Sequence, residues 1–598
     1  MKPLGHYEMV LAYHERTKHH FDRYARGPGQ INWDAQPDSF RRYTGAQCFE
    51  LPLVADSLTC AYVDLYHPKA IAPRPMILSN IAALLELSLG LAAWKEYGEH
   101  RWVLRCNPSS GNLHPTEGYV ILPNIGNLPA GVYHYLSYDH ILEQRGFFEP
   151  AGAKIFEAAL PTGHFLVGLT SIHWRETWKY GERAFRYCQL DIGHAIAAVR
   201  YAAATLGWTV ELLDHWANAE MGITLGLNQE DDFDQTEREV PEIILCINTQ
   251  GEILPNFSKR WKNERPFSRG GFERSFLKGE TEYPSYPSKL KKERSFSRRE
   301  SRELSENLIV SAMAGIKWVG RANVLDSQHN YEWSIIDNVL EATIKPTTEK
   351  MNWFAPPLPP LLPLSCTSHA ADLIRQRRST QLFDAQTSLN LKVFYRLLDS
   401  TLPRKGIVPW DTFQRLPRIH LVLFVHRVQG LSPGLYILLR REGIKENLHA
   451  AFQHEHFDWL KPIHCPESLP FYQLVSGDAK TVAEQIFCNQ EIASEGAFSL
   501  GMLAEFENSL KNGAWHYRQL FWEAGLIGQV LYLEAEAAGI RGTGIGCFFD
   551  DAFHTMLGLT GTNYQSMYHF TVGTPLYDKR LQTLPPYVHL QGRMRKTR

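Results

Sequence analysis

Residues 179–227 and 511–559 align without a gap at a constant offset of 332. Lys179/Lys511, Gly181/Gly513, Arg186/Arg518, Gly193/Gly525, Ala203/Ala535, Gly207/Gly539 and Leu225-Gly226-Leu227/Leu557-Gly558-Leu559 are identical. These nine identities in forty-nine positions exceed the roughly three that average composition gives by chance. The acidic pair Asp191/Glu523 sits in the same frame. A period this long is not that of a solenoid. The chain is therefore expected to fold as two fused copies of one domain.

Its 598 residues leave ample chain for sizeable cores, and 44% hydrophobic and 21% charged residues describe an ordinary globular protein. A net charge of −2 gives no overall field to attract nucleic acid or an anionic membrane. The opening MKPLGHYEMVLAYHERTKHHF lacks the apolar core of a signal peptide. Met76–Trp94 is interrupted by Ser79, Asn80, Glu86 and Ser88 and suits a buried amphipathic helix rather than a membrane span. Nine dispersed cysteines without CxxC spacing point to reduced, structural thiols and a cytoplasmic location. His14, His19 and His20 lie near Glu15, but no HExxH or Cys/His spacing follows, so no metal is expected.

The repeat reads as helix. Apolar residues at spacings of three and four run through 184–206 and stop at Gly207, and the matching segment Leu526–Ala538 is apolar nearly all round and stops at Gly539. Strands are expected upstream at His164–Ile172 and Phe498–Phe506, and at 131–135 and 434–438. Each half closes on another apolar run, Glu242–Ile247 and Tyr568–Val572. Each half thus reads as α+β, one sheet with long helices. Between the halves, 263–306 is rich in Ser, Arg, Lys, Glu and Pro and reads as a flexible charged insertion. A connector over 307–365 ends in the Pro-rich run 355–364. The expected domains are 1–262 and 366–598.

Four short motifs carry chemistry. Arg377, Arg378 and Ser379 end an apparent helix, a pattern suited to phosphate because guanidinium offers paired donors. The small-residue turn RCNPSSGNLHPTE, with Pro108, Ser109, Ser110 and Asn112, lets backbone approach a planar ligand. RGTGIGCFF supplies Gly544, Gly546 and Cys547. Its glycines follow a helix instead of opening one, which rejects a dinucleotide fingerprint and leaves a glycine-rich turn against a flat ring. Lys579 and Arg580 follow the last expected strand as a second phosphate clamp. There is no GxSxG elbow.

In this order the motifs resemble the nitroreductase superfamily of flavin enzymes. The tandem arrangement, YHERTKHH and RxxPSSGxLHP resemble its SagB-type dehydrogenase branch. The resemblance covers most of the chain and leaves out the 263–306 insertion. It implies an α+β fold with a central, mostly antiparallel sheet flanked by long helices, and FMN held at the interface of two such domains. It also implies ping-pong use of NAD(P)H and a small-molecule or modified-peptide substrate. By the same resemblance Arg377, Arg378, Ser379, Gln381, the glycine turn and Lys579/Arg580 come from one side of the site, and Pro108, Ser109, Ser110 and Asn112 from the other.

The two halves divide these parts between them. The second half has no Pro-Ser-Ser turn: its corresponding stretch is STLPRKGIVPW. In the first half TKHH (17–20) stands for RRS, VELLDHW (210–216) for the glycine turn and INTQGE (247–252) for the basic ending. One composite FMN site in a pseudo-dimeric monomer is the resulting expectation, with no catalytic side chain assigned. The alternative is a flavin-binding scaffold without activity.

Overall fold

The computed structural model describes residues 4–251, 309–313, 315–328, 332–351 and 353–591. The 263–306 insertion lies outside the described residues. Two antiparallel sheets are built on the same plan. In the first, strands run in the order Ile141–Phe148, Gly131–Leu136, Thr116–Leu122, His164–Ser171, Val240–Asn248, Thr209–Leu212. The second runs Phe471–Ser476, Gly434–Leu438, Ile419–Val425, Phe498–Glu505, Tyr564–Gly573, Arg541–Ile545. Over these six strands the order is the same; Gln47–Glu50 and Ile316–Trp318 extend the first sheet alone.

Alternation along these strands divides the apolar residues between two faces. Phe165, Val167 and Leu169 enter a core that also holds Leu421, Leu423, Leu500 and Met502 of the other sheet. Leu166, Tyr119 and Ile244 face an outer cluster on the first half, while Val422, Phe424 and Leu503 do so on the second. The shared core contains the two long helices, Ala184–Thr205 and His516–Ala537, whose bounds differ by the repeat offset and whose residues are almost all buried. Burial from every side explains their apolar circumference.

Contacts across the halves are reciprocal. At the helix crossing, a Cβ on Gly193 would meet the Trp522 carbonyl, and one on Gly525 would meet the Leu190 carbonyl. The Tyr62 N–H donates to Ser368, and the Ala370 N–H to Cys60. Asp550 N–H donates to the His19 carbonyl, and Asn218 N–H to that of Lys345. The C-terminal strand Gln582–Leu584 crosses back to pair with Leu91–Tyr97 of the first half.

Three expectations change. The stretch read as a connector is structured: Ile316–Trp318 pairs with the first sheet and Arg321–Ala322 with Tyr43–Thr44. Helix Ser334–Ala342 then mirrors the N-terminal helix His6–Arg16. Arg518 donates to Thr343 Oγ1 and the Leu340 carbonyl, as Arg186 does to Thr17 Oγ1 and the His14 carbonyl. TKHH therefore corresponds to Thr343–Pro346. The register of the Tyr62/Ala370 pair assigns the place of RRS to Lys69–Ile71 instead. Met76–Trp94 divides into helix Leu78–Ser88 and a strand from Leu91.

Candidate functional site

Helix Ala370–Gln376 ends at Arg377, whose side chain turns into the seam between the halves. It is 4% exposed. One Nη donates to the Arg105 carbonyl of the first half at 3.1 Å, Nε has no partner, and the guanidinium lies 5.1 Å from the Tyr532 ring centroid. Arg378 gives three of its five donors to the carbonyls of Arg375, Arg377 and Ala92. Arg541 of the second half and Lys95 of the first complete the cluster.

The nearby carboxylate, Glu536, pairs with Arg541 at 3.4 Å. Burial, then the charge of Arg377, lowers Arg378 to about 10. Burial lowers Arg377 as well, and lowers Lys95 with help from Arg378 and Arg541. Cations that depress one another in a half-dry seam mark a place short of negative charge. The same set suits a phosphate, because each unpaired donor gains a charge-assisted bond.

Ser379 joins this cluster to the glycine motif. Its Oγ lies 2.7 Å from the Tyr532 hydroxyl, which accepts from Gly544 N–H at 2.9 Å. The motif is not a turn: Arg541–Ile545 is the edge strand of the second sheet, and Ser379 bridges to Gly542. Its glycines admit tyrosines. A Cβ on Gly544 would fall 1.6 Å from the Tyr568 hydroxyl, and one on Gly546 2.2 Å from the Tyr187 ring. His194, kept neutral by burial with its pKa near 3, lies between Tyr568 and Gln529.

The Pro108–Ser110 turn meets the same aromatic group from the first half. Asp191 accepts from the Ser110 N–H and hydroxyl, both at 3.0 Å, and Ser109 Oγ accepts from His114 N–H at 2.8 Å. Burial raises Asp191 to about 7 against these hydrogen bonds. Tyr180 packs under Gly111 and lies 4.5 Å from Tyr187, ring to ring. The arginines, the Ser-Ser turn and the glycine strand are thus contiguous through Tyr180, Tyr187, Tyr532 and Tyr568.

Other expected residues stand apart. Asn112 donates to the Val103 carbonyl, and Gln381 is exposed. Lys579 and Arg580 are exposed as well, with Arg580 paired to Asp578 at 2.8 Å and 3.4 Å from the Tyr97 hydroxyl. Arg541 and Lys95 lie in the arginine cluster instead. Sequence reasoning passed over them, and over the four tyrosines, because aromatic residues in apolar helices and strands carry the same pattern as core.

The equivalent place on the opposite side is plugged. Arg200 and Val210, offset by 332 from Tyr532 and Gly542, are covered by Asp411 and Thr412. Asp411 grips Arg200 with two bonds of 2.8 and 2.9 Å, Thr412 donates to the Val210 carbonyl, and Arg415 pairs with Asp214 at 2.6 Å. A surface groove of about 760 Å³ lined by Tyr7, Ile344, Leu510 and Trp515 shares no residue with the arginine cluster. Glu15, His20 and Asp551 could face one cation, but Lys18 is already paired to both acids.

The nitroreductase family profile matches residues 374–574, which include Arg377, Tyr532 and the glycine strand. This segment is therefore similar to nitroreductase-family domains. A protein of Methanocaldococcus jannaschii described as a nitroreductase is 30% identical over 104 residues, 17% of this chain and 52% of its own length. The chain thus spans about half the length of that relative. A crystal structure from Anabaena variabilis, also described as a nitroreductase, shares 20% identity and a TM-score of 0.59 over 95% of this chain and 99% of its own. That likeness extends the shared fold across both halves. Among the described residues, no helix is long and apolar enough to cross a membrane.

Proposed function

We infer that the chain is an FMN-dependent oxidoreductase with one composite flavin site in the seam between its halves, an intramolecular counterpart of a dimer. The observation carrying this is the buried Arg377, without an ion-pair partner among the described residues and with an unpartnered Nε. Arg378, Arg541 and Lys95 surround it. Such a cluster fits a dianionic phosphate. The tyrosine-lined glycine strand and the Ser-Ser turn fit a planar ring with polar edges.

When bound, FMN would supply two-electron redox chemistry by hydride transfer. The chain's residues do the positioning. Arg377, Arg378, Arg541 and Lys95 hold the phosphate, and Ser379 and Tyr532 fix the strand edge. Asp191 holds the Ser110 turn that the first half contributes. Two substrate classes follow: a small-molecule acceptor reduced at the expense of NAD(P)H, or an azoline in a modified peptide that is itself oxidised to the azole, passing two electrons to the flavin for dioxygen or another acceptor to remove.

Anaerobic addition of NADH or NADPH tests the reading. Bleaching of the flavin absorbance by either supports an enzyme. A yellow protein that neither nicotinamide cofactor nor an azoline peptide reduces supports a binding scaffold instead.

A further inference from the structure

Cys488 and Cys547 are 59 residues apart in sequence, yet their sulfurs lie 2.9 Å apart. That separation lies between the roughly 2.05 Å of a disulfide bond and ordinary non-bonded sulfur contact. Cys488 follows helix Lys480–Ile486 in a tight turn. Both it and Asn489 adopt left-handed backbone, with φ of +56° and +57°. Two consecutive non-glycine residues in that region are uncommon and cost energy. The conformation turns the Cys488 side chain back toward the segment after strand Arg541–Ile545.

That approach is braced. The Gln490 amide donates to the carbonyls of Phe487 and Cys547 at 2.6 and 3.1 Å. The Phe549 N–H donates to the Ile486 carbonyl at 2.8 Å. Arg183, reaching over from the first half, donates to the Gly546 carbonyl at 3.1 Å. Both cysteines are only partly buried, unlike Cys106, Cys188 and Cys246. Exposed Phe21 and Tyr24 lie against neighbouring Phe549.

We propose that Cys488 and Cys547 form a reversible dithiol–disulfide couple at the edge of the composite site, oxidised by a low-molecular-weight disulfide. Cys547 is the attacking sulfur. The proton it shares with Cys488 and the nearby Arg183 charge favour its thiolate, against the opposing effect of burial. The Cys547 thiolate attacks the external disulfide RSSR, forming Cys547–S–S–R and releasing RS⁻. Cys488, losing its proton, then attacks the Cys547 sulfur and expels a second RS⁻. Two thiols and RSSR become one protein disulfide and two RSH, a two-electron oxidation that needs no flavin. Its outcome is therefore separate from that of the proposed function.

The test treats the full-length protein with oxidised glutathione, quenches free thiols and maps peptides without reduction. The expected result is a Cys488–Cys547 cross-linked peptide, lighter by two hydrogens and released by dithiothreitol. Cys488→Ala is expected to stop at a stable glutathione adduct on Cys547. The wild-type map alone decides the matter if that variant does not fold. Free Cys488 and Cys547 thiols after treatment, separate stable adducts on both, or a bond from either to another cysteine would overturn the proposal.

Discussion

Gly193 and Gly525 meet where the two long helices cross, each a repeat offset from the other. A Cβ added to Gly193 would lie 2.3 Å from the Trp522 carbonyl oxygen, and one added to Gly525 2.3 Å from that of Leu190. Mid-helix glycine costs about 1 kcal/mol relative to alanine. Its presence at both positions follows from the approach of the two backbones.

Gly193→Ala and Gly525→Ala are each expected to destabilise the protein, despite alanine's better helix propensity. The overpacking cost is about 1–3 kcal/mol. Urea unfolding monitored by circular dichroism reads it as a lower midpoint. An unchanged or raised midpoint would show that the helices have room to separate.

Arg377→Ala is expected to weaken FMN retention by roughly tenfold to a hundredfold, from the loss of about 1.5–3 kcal/mol of charge-assisted hydrogen bonding. Lys69→Ala, at the exposed counterpart position, should leave it unchanged. Equilibrium dialysis of the three proteins compares them. Equal losses in both variants would place the phosphate elsewhere.

Asp191 links pH to the Ser110 turn. Burial raises its pKa to about 7, whereas an unfolded aspartate titrates near 3.9. The folded state therefore holds the proton more tightly. This contribution to stability is full below the unfolded value and is lost as pH rises through about 7. Asp191→Asn keeps an acceptor for Ser110 and removes the ionisation. Its unfolding midpoint should vary less between about pH 4 and 7 than the wild type's, and identical pH slopes there would remove Asp191 from the account.

The duplication was legible because Arg186/Arg518 and Gly193/Gly525 lie in one ungapped helix and Gly207/Gly539 just past its end. The strands at 131–136 and 434–438 were legible through aromatic and β-branched residues after an opening glycine. Arg541–Ile545 was read as a turn because three glycines in the nine residues 541–549 suppress the strand signal. Only pairing to Tyr564–Gly573 makes it one. Helix Ser334–Ala342 was missed as the counterpart of His6–Arg16, since what they share is a place beneath Arg518 and Arg186 more than a sequence. The site's four cations come from three separate stretches, which no spacing rule connects.

That interleaving also bears on how the composite site can be tested. Cutting between 262 and 366 would remove Ile316–Trp318 from the first sheet and Ser334–Ala342 from beneath Arg518. Intact chain is the better subject. The decisive measurement is the flavin content of the full-length protein, reconstituted with excess FMN, desalted, denatured and quantified by absorbance against protein concentration. The account predicts one FMN per chain, because Asp411 and Thr412 cover the equivalent of the Tyr532–Gly542 surface. Two per chain, or none, would contradict it.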